Sequence, residues 1–167
     1  PNVGYTIDPE GSVSVIRLSD YSVSTIGFSD FNVGGSRNSE LPSAKMLIAG
    51  VGVGGGATVA KDLEPEYIAI RPDGLEAYVT LQEANAVGLL DIATATFTAI
   101  VPLGSKDFST LLADFSDRDG SNSSALTNLV TGMPVRGLYM PDAIDSYQSA
   151  GQTFYVIANE GDDRDDF

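Results

Sequence analysis

Short apolar runs separated by turn residues dominate this chain, and they read as strands nearly throughout. Glu66-Tyr-Ile-Ala-Ile70 is one such run. The turn Arg71-Pro-Asp-Gly74 follows, and Ala77 to Leu81 is rich in β-formers, so the two runs predict a hairpin. After Gln82-Glu-Ala-Asn85 come Val87 to Ile92, a turn at Ala93-Thr-Ala-Thr96, and Phe97 to Val101, closing at Pro102-Leu-Gly104. Upstream, Ser12 to Leu18 and Tyr21 to Phe28 predict a strand pair. Downstream, Ala143 to Tyr147 and Thr153 to Ala158 predict another. Two stretches break the rhythm, residues 29–61 and 105–136. Their Ser, Asn, Gly and Asp content marks them as surface loops, with a helical turn expected over Ser109 to Phe115.

The pattern repeats. Gly74-Leu-Glu-Ala-Tyr78-Val79-Thr-Leu-Gln-Glu83 returns as Gly151-Gln-Thr-Phe-Tyr155-Val156-Ile-Ala-Asn-Glu160, with Gly, Tyr, Val and Glu all shifted by 77. Ser12-Val-Ser-Val-Ile16 and Ala86-Val-Gly-Leu-Leu90 match at a shift of 74. Four strands in about 40 residues, repeated, are the signature of blades in an array. The expected fold is therefore all-β, part of a β-propeller. Residues 1–28 end one blade, 29–61 are an insertion and 62–104 a complete blade; 105–136 are a second insertion and 137–167 start the next blade. Tyr78 and Tyr155 are expected at equivalent positions on second strands.

Composition narrows the chemistry. The 167 residues are 43% hydrophobic, enough for one core, and carry 9 Lys plus Arg against 23 Asp plus Glu, a net charge of −14. Such a surface repels phosphate backbones and anionic lipid, so no nucleic acid is expected as a partner. Cysteine and histidine are both absent, which excludes disulfides, a thiolate nucleophile and a Ser/His/Asp triad within the chain. No run reaches the roughly 18 apolar residues of a membrane span, so no direct membrane insertion is expected. The start at Pro1, without Met or a signal-like segment, reads as a mature or internal piece of something longer.

Pro72-Asp-Gly74, Tyr78-Val-Thr80, Val87, Leu90-Asp-Ile92 and Ile100-Val-Pro-Leu-Gly104 resemble the YVTN-type propeller repeat. The longer string Asp62 to Ile70, Tyr78 to Glu83, Ser116-Asp-Arg-Asp-Gly120, Pro141-Asp-Ala-Ile144 and Ala158-Asn-Glu-Gly-Asp162 is similar to the choice-of-anchor I domain. That resemblance covers nearly the whole chain. It implies a large secreted or cell-surface bacterial module, a propeller of about seven blades of which this chain holds roughly two.

Three kinds of motif bear on chemistry. Gly50, ending the apolar run from Lys45, followed by Val51-Gly-Val-Gly-Gly-Gly56, satisfies Gly-x-Gly-x-x-Gly, but only Ala57 to Leu63 precede Pro65. That is too short for the helix a pyrophosphate site needs, so the motif reads as a glycine loop. Ser43-Ala-Lys45 lacks a pocket signature and reads as a turn, and Tyr67, Tyr78, Tyr139 and Tyr155 read as packing. Acidic loops remain. Ser116-Asp-Arg-Asp-Gly120 and Gly161-Asp-Asp-Arg-Asp-Asp166 offer the oxygen ligands a hard cation wants, so calcium is the expected ion. Its candidate ligands are Glu160, Asp162, Asp163 and Asp165, then Asp117 and Asp119, without the full EF-hand pattern. Strand direction places Asp8, Glu10, Asp62, Glu64, Glu66, Glu83, Asp117, Asp119, Asp142, Glu160, Asp162, Asp163 and Asp165 on or near one rim with both insertions, and little beyond Arg71, Asp73 and Glu76 on the other.

The expectation from sequence is a structural or binding module of a larger secreted or cell-surface protein, with no catalytic residue. Its partners are the remaining propeller segments or neighbouring chains of the same assembly. The alternative is a calcium-dependent propeller phosphoesterase, alkaline phosphatase-like or phytase-like. Asn122-Ser-Ser124 carries a weak glycan acceptor pattern.

Overall fold

The computed structural model describes residues 9–41 and 58–161. Among them are ten strands: β1 (Ser12–Arg17), β2 (Ser22–Gly27), β3 (Pro65–Ile70), β4 (Glu76–Leu81), β5 (Ala86–Asp91), β6 (Thr96–Pro102), β7 (Ser105–Asp107), β8 (Arg136–Leu138), β9 (Pro141–Ser149) and β10 (Gln152–Asn159). The one α-helix among the described residues, α1 (Val59–Asp62), is four residues long. Every strand pairing is antiparallel, so the fold is all-β as expected. The strands form an open four-stranded sheet, ordered β3-β4-β5-β6, and three two-stranded sheets. The chain divides into two compact units, Pro1–Gly104 with Tyr139–Phe167, and Ser105–Leu138.

Within the first unit, residues paired across the central sheet share a face, and each face meets a different neighbour. On one face lie Ala77, Val79 and Leu81 of β4, Leu90 of β5, and Phe97 and Ile100 of β6, all buried. Val13 and Phe28 of the β1–β2 hairpin pack there, with Phe31 and with Val59, Ala60 and Leu63 around α1. Phe28 stacks on Phe97 at 4.7 Å between ring centroids. Burial of each such large side chain is worth about 1.5–3 kcal/mol. Gly88 is required beneath Phe97, because a Cβ there would come within 2.7 Å of the ring.

The opposite face presents Ala69, Tyr78, Thr80 and Val87, and β9 runs along β3 and β4 on this side. Ile144 of β9 is buried, and the Ser146 hydroxyl donates to the Ile70 carbonyl at 2.7 Å. The two hairpins thus cover different halves of the sheet. On the β1–β2 side, Ile68 and Ile70 of β3 remain 45% and 55% exposed; on the β9–β10 side, Val101 of β6 remains 41% exposed.

The two sequence repeats differ in how faithfully the backbone follows them. At the shift of 74, Arg17↔Ser22 closes the β1–β2 hairpin as Asp91↔Thr96 closes β5–β6, and Tyr21 and Ala95 take the same left-handed turn at φ 57° and 50°. At the shift of 77, Tyr78 and Tyr155 do lie on the second strands of their hairpins, and Gly74 and Gly151 share φ 74° and 76°. Their facing differs. Tyr78 points toward β9–β10, whereas Tyr155, paired with Ser146 and on the side of Ile144, points back at the central sheet. In a strand a one-residue offset reverses every side chain, so Tyr155 occupies the inward-looking place that Ala77 holds in β4.

The insertions also depart from the loop reading. Phe31, Val59 and Ala60 are buried in the main core, because the first insertion carries apolar residues among its polar ones. Arg37 anchors it: the guanidinium lies 4.5 Å from the Phe31 ring centroid, pairs with Glu40 at 2.7 Å and donates to the Phe97 carbonyl at 2.6 Å. The glycine motif and Ser43 to Lys45 fall outside the described residues. In the second unit Ser109 to Phe115 is not helical; Ala113 bridges Val130 in antiparallel fashion, and β7 pairs with β8 at its base. Gly132 and the Ser and Asp residues there favour turns over a helix.

One side chain ties the ends of several strands together. Asn85, fully buried in the β4–β5 turn at φ 51°, donates through Nδ2 to the Gly104 carbonyl at 2.7 Å. Its Oδ1 accepts from the Tyr139 and Met140 amides, both at 3.0 Å. Its own carbonyl accepts from Leu103 N at 3.0 Å. Asn85→Ala removes three hydrogen bonds, two of them buried, and leaves their partners unsatisfied, a loss of about 2–4 kcal/mol. The expected outcome in urea denaturation is a lower midpoint with unchanged slope, and a midpoint equal to wild type would refute the role.

Candidate functional site

The β4–β5 turn, the end of β6 and the start of β9 converge at Asn85, so they emerge on one rim of the central sheet, as strand direction requires. Gly161 N donates to the Tyr139 carbonyl and Glu160 N to the Met140 carbonyl, both at 3.1 Å, which brings the end of β10 to the same rim. Glu160 stands here, its carboxylate accepting from Gln82 Nε2 at 2.7 Å. Asp162, Asp163 and Asp165 lie outside the described residues. Asp62, expected on a solvated acidic rim, is buried instead.

Asp117 and Asp119 belong to the second unit and serve its loop. Asp119 accepts from Asn128 Nδ2 at 2.7 Å, and hydrogen bonds from Asn128 and Ser116 hold its carboxyl below the usual carboxylate range. Asp114 accepts from the Asn128 amide at 3.0 Å. Asp117 pairs with Arg118 at 3.5 Å, both largely exposed. An open groove of about 700 Å³ runs beside them, lined by Asp114 to Arg118 and Ala125 to Thr127. Among the described residues, no three acidic side chains gather closely enough to hold a metal ion.

The opposite rim carries an ion-pair set. Arg71 bonds Asp73 at 2.8 Å and also pairs with Glu76, and Asp73 caps the turn by accepting from Leu75 N at 3.0 Å. The Arg71 hydrogen bond, then that of Leu75, lowers the Asp73 carboxyl. Next to this set, Tyr78 and Tyr155 stack with ring centroids 3.7 Å apart. The Tyr155 hydroxyl is closed off from solvent without a well-formed hydrogen bond. Burial, then the neighbouring Tyr78 phenol, pushes Tyr155 up to about 12. The repeat identified both tyrosines but not their contact, because facing depends on an offset that residue identity does not reveal. Asn85 and Arg37 carried no signal beyond an Asn in a turn and an Arg in a polar stretch.

Over residues 1–167 the chain matches the choice-of-anchor I domain, and it belongs to that family. Membership places it among surface-associated, extracellular modules of larger proteins. Neither a curated protein nor a solved structure matches it. Among the described residues no helix is long and apolar enough to cross a membrane.

The raised Tyr155 group sets a pH dependence. The folded state keeps the Tyr155 proton where the unfolded chain, near the ordinary value of 10.0, has lost it. Stability is therefore whole below pH about 10 and falls as pH rises from there toward about 12. Phenolate absorbance is expected to show a late-titrating component, which Tyr155→Phe removes; the absence of that difference between wild type and Tyr155→Phe would contradict the burial.

Proposed function

We propose that this chain is a structural and binding module of a secreted or cell-surface protein, a segment of a β-propeller of about seven blades rather than an enzyme. The observation that carries the reading is the direction of packing in the first unit. The Val13 side of β1–β2 faces the central sheet, the central sheet turns its Tyr78 side to β9–β10, and β10 answers with Tyr155. Three successive antiparallel units stack in one sense, the first with an outer pair, the second with four strands and the third with an inner pair. This is the order that blades follow around an axis. The residues that resemble the YVTN-type repeat lie on strands, Tyr78-Val-Thr80 on β4 and Leu90-Asp91 on β5, which supports the reading.

The competing reading is a calcium-dependent phosphoesterase using Glu160, Asp117, Asp119 and the acids at 162, 163 and 165. Two measurements separate them. Phosphate release from a model ester, with calcium and then with chelator, is expected to stay at background. Calorimetric titration with calcium is expected to give no heat that an Asp162→Asn plus Asp165→Asn variant abolishes. Chelator-sensitive hydrolysis together with variant-sensitive calcium binding would replace the module reading. Electron microscopy of the surface protein carrying this module is expected to show a disc with a central channel.

A further inference from the structure

We propose that residues 124–129 are the recognition strand for an extracellular protease with an apolar specificity pocket, that the bond cut is Leu126–Thr127, and that the nicked protein stays assembled. The cut is a modification of the second unit and is independent of how many blades the whole protein has.

A protease takes its substrate as an extended strand, through main-chain hydrogen bonds, and fills one pocket with the side chain before the scissile bond. Ser124 is already extended at φ −79° and ψ 154°, and no regular secondary structure runs from there to Leu129. Among the main-chain amides from Ala125 to Leu129, only that of Asn128 has a partner, the exposed Asp114 carboxylate at 3.0 Å. Drawing the segment into a cleft therefore breaks little. Leu126 is 57% exposed and offers the apolar side chain. Ala125 to Thr127 form one wall of the open groove, so the segment is not packed against Asp114 to Arg118 across it. Nicking concentrates on surface segments of this kind.

Other exposed stretches are closed to such binding. The hairpin turns end on paired residues, Arg17↔Ser22, Ile70↔Ala77, Asp91↔Thr96 and Gln152↔Ser149, and straightening any of them breaks its ladder. Leu111 and Leu112 are exposed too, but they lie between two backbone pairings, Phe108 N to the Val135 carbonyl at 3.2 Å and Ala113 with Val130. On the facing wall of the groove the Ser116 and Arg118 amides are held in tight turns by Asp114 and Ser116.

The cut is hydrolysis. Water adds across the amide, the carbonyl carbon becomes the Leu126 carboxylate, and the nitrogen leaves as the Thr127 ammonium. The contacts that join the pieces lie on both sides of the bond and are untouched by it. β7 precedes the bond and β8 follows it, with Arg136 donating to Asp107 at 2.9 Å across their ladder. Asn85 holds the Tyr139 and Met140 amides, Ser146 holds the Ile70 carbonyl, and Tyr155 stacks on Tyr78. Cutting frees one wall of the groove and leaves the sheets as they were.

The test is brief digestion of the surface protein carrying this module with chymotrypsin, whose pocket is apolar. A new N-terminus at Thr127 is expected by amine labelling and mass spectrometry, and the nicked protein is expected to elute with the uncut protein natively and to separate from it only in denaturant. Thr127→Pro, which takes the amide N–H from the scissile bond, is expected to abolish that N-terminus with the melting temperature unchanged. If the proline variant melts early, Leu126→Asp, which puts a charge where the pocket is apolar, is expected to suppress the same cut. Digestion that leaves residues 124–129 whole would overturn the site, and cleavage inside them at another bond would overturn the apolar pocket. Separation of the pieces under native conditions would overturn the retention. None of these outcomes touches the module reading, which rests on the hydrolysis and calcium measurements.

Discussion

A single buried carboxamide organises the first unit. Asn85 suits its place for two reasons: asparagine tolerates the left-handed backbone of the turn better than most residues, and its side chain carries a donor and an acceptor on one short arm. The donor meets the end of β6 and the acceptor meets the start of β9. Aspartate keeps the shape but would turn an oxygen toward the Gly104 carbonyl, and glutamine is a methylene too long. The position of β9 against β3, and with it the Tyr78–Tyr155 stack, depends on this amide.

That fixed geometry leaves the central sheet covered diagonally. One face is closed over its outer strands by aromatic packing, Phe28 on Phe97 above Gly88. The other is closed over its inner strands by Ile144, Ser146 and the tyrosine pair. The exposed isoleucines of β3 are therefore not scattered surface apolar residues. They sit in the continuation of a packed core, on the half that the neighbouring hairpin does not reach.

Strand positions were legible because period-two patterning and turn residues report directly on the backbone. The eight strands expected from the apolar runs all form, within a residue or two of their expected ends. Facing was legible for the repeat at 74 and not for the repeat at 77. The Ala150-Gly151 turn of β9–β10 closes on two residues with positive φ, where β3–β4 uses the longer Arg71 to Glu76 turn, and the difference changes the phase between strand and face. The buried part of the first insertion was hidden because Phe31 lies far from Val59 and Ala60 in a polar, glycine-rich stretch and meets them only in three dimensions. The acids stood out by composition, yet composition says nothing of which carboxylates are already engaged. Glu160 and Asp119 have partners of their own, Gln82 and Asn128, which only geometry could supply.

The Asn85 contacts bracket the second unit, since Gly104 and Tyr139 are the residues on either side of Ser105–Leu138. A loop whose two stems are pinned to one side chain can change length at little cost, about 0.6 kcal/mol for each doubling. Diversification between these stems leaves the sheet untouched. The stretch is thus a natural graft point, where one loop can be exchanged for another while the framework is kept, and where a foreign epitope spliced between Gly104 and Tyr139 would be displayed without refolding the rest.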